Sequence, residues 1–198
     1  MERGWDGYGM RFRARLAGSV HVAMRAIALF TVVTVPMVAQ PKDVNGWGRI
    51  KWGMTVAQAK VVYGSQVLVP DATHKSQSTK FVDRLLIGSF NVGDTKMQVS
   101  IETLPNSDKI REVTLSLPAS SPRASRSSAY DDLRNSLTLK YGRPSHVEKK
   151  DDDILSESAT WTFPSTVITL YHLESNSIAF GQLGLQYTAT DKKALDAL

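Results

Sequence analysis

Residues 81–117 read FVDRLLIGSFNVGDTKMQVSIETLPNSDKIREVTLSL. Two turn-forming clusters, Asn91-Val92-Gly93-Asp94 and Pro105-Asn106-Ser107-Asp108, cut this stretch into three runs. The first, Phe81–Phe90, is apolar and carries β-branched residues. In the second, Met97, Val99 and Ile101 alternate with polar neighbours, and in the third Val113, Leu115 and Leu117 do the same. Alternation with period 2 places one side of a strand in a core and the other toward water. Neither turn is long enough for a crossover, so the three runs form an antiparallel meander.

Upstream stands WGMTVAQAKVVYG, residues 52–64. Thr55 and Gln58 have the spacing of a capping box, in which hydroxyl and amide each bind a backbone N–H of the other residue. Val56, Ala59 and Tyr63 (or Val62) recur at helical spacing, and Gly64 supplies a stop. A polar stretch, Asp71–Lys80, separates this helix from the meander, and residues 40–51 form a Pro- and Gly-bearing lead into it.

Downstream, residues 118–128 (PASSPRASRSS) hold two prolines and no large apolar residue, the composition of a linker. The pattern then begins again. Ser128 and Asp131 make a second, weaker capping signature. Tyr130, Leu133, Leu137 and Tyr141 share a helical face, and Gly142 with Pro144 ends it. Strands follow over 159–163, 166–173 and 178–188, with 146–150 as a fourth candidate and the aspartates 151–153 as a loop. The expected fold class is therefore α+β: two helix-plus-antiparallel-meander repeats, over 40–117 and 129–198, with the helices packed on one face of one or two sheets.

The chain has 198 residues, no cysteine and a formal charge of +5. Its basicity is concentrated at the start. Residues 1–39 hold five arginines (3, 11, 13, 15 and 25) against Glu2 and Asp6, a net +3 that leaves +2 for residues 40–198. The arginines precede an uncharged run of 14 residues, Ala26–Ala39. A positive segment, a short apolar core and a small terminal residue make a secretory signal peptide, with cleavage expected after Ala39. The run is too short to span a bilayer, so no stable membrane span is expected after cleavage. The reading implies an exported protein, periplasmic or secreted. A near-neutral mature chain in that compartment argues against a nucleic-acid partner.

No motif specifies a reaction. His74, His146 and His172 lack the spacing of metal ligands, and the acids around Asp151–Asp153 lack the register of a calcium loop, so no metal or cofactor is expected. These histidines read as scattered surface residues. Gly181-Gln182-Leu183-Gly184 reads as a strand bulge rather than a phosphate cradle. The aromatics Trp47, Trp52, Trp161 and Tyr171 are the candidate binding residues, because rigid rings give contact area at low entropic cost. Against this, Trp52 and Trp161 are equally suited to plug the two helix–sheet cores.

Gly53-Met54-Thr55, a helix and Gly64 resemble the G-M-T…G-x-P signature of the SmpA/OmlA family, and Gly142-Arg143-Pro144 resembles its end again. The two-unit plan also resembles the tandem fold of β-lactamase inhibitor proteins. These resemblances imply a fold of helices on a meander that binds another protein without catalysis. Gln66 stands in place of the first proline, and no cysteine is present for lipidation, so no anchored role is implied. The expected function is an exported, non-enzymatic binding module with an exported or envelope protein as partner. The alternatives are a hydrolase using a serine with His146 or His172, and a small-ligand or lipid carrier.

Overall fold

In a computed structural model, residues 42–71, 80–118, 120–178 and 180–190 are described. The leader with its cleavage point at Ala39, and His74, lie outside these residues. Thr55 opens helix α1 (Val56–Tyr63) through the expected capping box. Its hydroxyl accepts from Gln58 N at 3.1 Å, and its own N–H donates to Gln58 Oε1 at 2.8 Å. The preceding residues are held by β-type bonds: Ile110 N donates to Met54 O (2.8 Å) and Val56 N to Asp108 O (3.0 Å). The helix is thereby tied to the second turn of the meander before its own packing begins.

The meander comprises β1 (Val82–Val92), β2 (Thr95–Thr103) and β3 (Ile110–Ser116). After it, helix α2 runs from Arg123 to Tyr141, followed by β4 (His146–Asp151), β5 (Ile154–Thr162), β6 (Thr166–Ser175) and β7 (Gly181–Ala189). Residues 123–128, expected as linker, are the first turn and a half of α2, and Pro122 rather than Ser128 occupies its N-cap position. Serine is only mildly unfavourable in a helix. Extending the helix buries Arg126, and that tertiary gain overrides the local composition.

All seven strands belong to one antiparallel sheet of order β1-β2-β3-β7-β6-β5-β4. The two sets of strands meet where β3 pairs with β7, from Glu112↔Thr188 to Ser116↔Gly184. This joint buries what would otherwise be two bare strand edges. Of the remaining edges, β1 is partly covered by the bridge between Leu68 and Leu86. Strand β4 is exposed along its length, and its charged residues discourage further pairing.

One face of the sheet carries Leu85, Ile87, Met97, Val99, Ile101, Val113, Leu115, Tyr187, Leu185, Leu183, Leu170, Ile168, Ala159 and Trp161, as the register requires. Ala59 of α1 and Ala129, Tyr130, Leu133 and Leu137 of α2 join these residues in a single buried cluster. Both helices thus lie on the same face. Gly181–Gly184 is not a bulge, because β7 keeps register with β6 throughout. The glycines make room instead. A Cβ on Gly184 would lie 2.3 Å from the Tyr171 ring, and one on Gly181 would lie 2.3 Å from the Arg126 guanidinium. Among the described residues, no helix is long and apolar enough to cross a membrane.

Candidate functional site

The loop before α1 doubles back on itself through mutual bonds between Trp47 and Ile50 (Trp47 N to Ile50 O, 3.1 Å; Ile50 N to Trp47 O, 2.8 Å). Glycines make this reversal possible. Gly46 and Gly48 have φ of +120° and +55°, and a Cβ on Gly46 would collide with Ile50 O at 2.0 Å. The reversal turns the Trp47 indole inward, stacked on Tyr63 at 6.2 Å between ring centres and edge-on to Phe90 at 4.9 Å. Phe90 stands near the end of β1, just before the hairpin.

Across the sheet face from this aromatic wall is the C-terminal turn of α2. Its end is held by Trp161, whose Nε1 donates to Gly142 O at 2.8 Å, and by the edge-on contact of Tyr141 with Phe163. Between the two walls lies a cleft of about 350 Å³. Trp47 and Phe90 bound one side, Lys140 and Tyr141 the other, and Leu115, Leu185 and Tyr187 make the floor. Burial, and then the neighbouring Tyr141 hydroxyl, push the Tyr187 phenol well above its ordinary range, so it remains a neutral hydrogen-bonding group. Lys140 Nζ lies 4.8 Å from the centre of the Tyr141 ring. A hollow of about 330 Å³, lined by Asp94, Asp132 and the exposed Leu139, shares Val92 and Gly93 with this cleft.

The four aromatic candidates have separate places. Trp47 is buried and lines the cleft. Trp52 ties the leading segment to β6, its Nε1 donating to Thr166 Oγ1 at 2.7 Å. Trp161 is a core residue that anchors α2. Tyr171 lies on the opposite face, over Gly184, where burial followed by Glu102 and Glu112 pushes its phenol up to about 12. The sequence alone does not mark Phe90, Lys140, Tyr141 or Tyr187 as binding residues. Tyr141 carried only a helix-face signal, and nothing local marks a strand aromatic such as Tyr187 as a cleft floor.

His172 is not a surface histidine, since it is fully buried beneath α2. Its Nδ1 is 3.3 Å from Glu157 Oε2 and its Nε2 is 3.5 Å from Glu174 Oε2, so both nitrogens face carboxylates rather than a serine hydroxyl. Arg126 grips Glu174 through two bonds of 2.8 and 2.7 Å and also donates to Ser121 O. That guanidinium holds Glu174 below the usual carboxylate range. Burial works to raise Glu157, but Lys149 at 2.6 Å and His172 outweigh it, and the group titrates low. His146 is exposed on β4.

On the face away from the helices, Asp83, Glu102 and Glu112 stand side by side in register across β1, β2 and β3. Burial, reinforced by Glu112, pushes Glu102 up to about 8. Burial also raises Glu112, against the hydroxyl that Thr188 donates at 2.7 Å. No grouping of three or more His, Cys, Asp or Glu able to hold a metal occurs among the described residues. No protein-family model, curated protein or solved structure matches the chain.

Proposed function

We propose that this chain is an exported binding module whose ligand enters the aromatic cleft between the Trp47 loop and the end of α2. The observation that carries this reading is the cleft itself. Four aromatic residues and two leucines, brought from the leading loop, three strands and α2, line a space of the size that small organic ligands occupy. Such a lining rewards shape and apolar area, and the Tyr187 and Tyr141 hydroxyls add directional hydrogen bonds.

A variant that fills the space provides the test. In a protein-observed NMR screen of small aromatic fragments, hits should shift the Trp47 indole N–H resonance in the wild-type chain. The same fragments should fail with Val92→Trp, whose melting temperature should remain near that of the wild type. Absence of any fragment that perturbs Trp47 overturns the reading.

Leu139, 89% exposed at the neighbouring hollow, favours a second reading in which the occupant is an aromatic side chain of an exported or envelope protein. The resemblance at residues 53–64 points the same way. Export itself rests on the arginine-rich, apolar character of residues 1–39. Mass spectrometry of the mature protein should find Gln40 at its N terminus, and an intact leader would refute that part. We also infer that the fold arose from two related units, since a helix followed by antiparallel strands occurs twice in chain order.

A further inference from the structure

We propose that the cleft selects an aromatic carboxylate of about two-ring size, with the rings between Trp47, Phe90 and Tyr141 and the carboxylate at Lys140. The inference rests on the reading of the cleft as a binding site and adds the chemical class of its occupant. Among the described residues, twelve line the cleft, and Lys140 is the one of these with a charged side chain. Its ammonium is exposed at the rim, close to the Tyr141 ring but in no ion pair with a described carboxylate. An entering anion therefore needs to displace none of the described carboxylates.

Charge on the other side gives the ligand its orientation. Past Val92 and Gly93, the neighbouring hollow presents Asp94 and Asp132. A carboxylate directed there meets like charges, whereas the same group turned toward Lys140 meets an ammonium. Aromatic rather than purely aliphatic bodies are favoured because edge and face contacts with rings are worth more than area alone. The C-terminal end of α2 carries partial negative charge that offsets part of the Lys140 field. The gain from the ion pair is accordingly modest, about threefold to tenfold in affinity.

Matched probes that differ only in charge separate the possibilities. The full chain is titrated with 2-naphthoate and with 2-naphthamide by calorimetry, while the Trp47 indole N–H resonance reports occupancy of the cleft. Both probes should bind at Trp47, with the carboxylate about threefold to tenfold tighter. Lys140→Gln should remove that preference, so that the two probes bind with equal affinity. Equal or tighter binding of the amide, or a preference that survives in Lys140→Gln, overturns the carboxylate assignment and leaves the cleft as a binding site. If neither probe shifts Trp47, the binding-site reading fails, and this inference fails with it.

Discussion

Two residues on the face away from the helices show how a single side chain depends on its setting. Glu102 stands between Asp83 and Glu112 in register and titrates near 8, against 4.5 for an unperturbed carboxyl. Between those values the folded chain binds more protons at this site than the unfolded chain does. Stability at Glu102 therefore falls as pH rises across that window, by roughly 1.4 kcal/mol at most per pH unit. Melting temperature should decline from pH 5 to pH 8 in the wild type and decline less in Glu102→Gln, which is neutral throughout. A steeper decline in the variant would refute the assignment. The second residue is Gly184, beneath the Tyr171 ring. Gly184→Ala should cost about 1–2 kcal/mol in urea unfolding. Because the cost arises from a clash, it should largely vanish in a Tyr171→Ala background, so the double-mutant cycle should be far from additive.

At the scale of elements, α2 is positioned at both ends by polar contacts that its own sequence does not advertise. Its first turns are fastened by Arg126, which reaches Glu174 on β6, and its last by the Trp161 indole on the Gly142 carbonyl. A buried pair of this kind adds little relative to an apolar replacement, but removing one member strands the other. Arg126→Ala should therefore cost about 3–5 kcal/mol by denaturant unfolding, and Arg126→Met should cost less only when Glu174 is also made apolar. The pH signature runs opposite to that of Glu102. Glu174 is held below the usual carboxylate range, so its contribution is present above that range and is lost as pH falls through its depressed value. Legibility in the sequence follows the same division. The box at Thr55 and Gln58 and the turn at Gly93-Asp94 were readable because their partners lie within a few residues. The start of α2 at Arg123 was not, because the reason for it is the bond of Arg126 to a glutamate 48 residues further on.

For the whole molecule, the β3–β7 joint is decisive. The linker composition of residues 118–128 leaves both one sheet and two sheets open, and the strands on either side of that segment form one sheet over one buried cluster. Residues of both helices and of six strands, β1 to β3 and β5 to β7, contribute to that cluster, leaving no interface at which half of the molecule can melt alone. Thermal unfolding should accordingly give a single calorimetric transition, with van't Hoff and calorimetric enthalpies in agreement. Two resolved transitions would show that the halves are independent.

What the sequence determined by itself was the set of elements and their faces. Period-2 and helical spacing, caps and turn residues act over short distances, and the α+β class with antiparallel strands follows from them. The tertiary structure alone decided which strand edges met, that His172 was buried between two glutamates, and that Trp47 came to face Tyr141. Each of these outcomes joins residues far apart in the chain, where the choice among partners is made by collective burial and not by local preference. The cleft belongs to this second kind. Its walls come from the leading loop, the first hairpin and the end of α2, and they come together only once the seven-stranded sheet has closed its central seam.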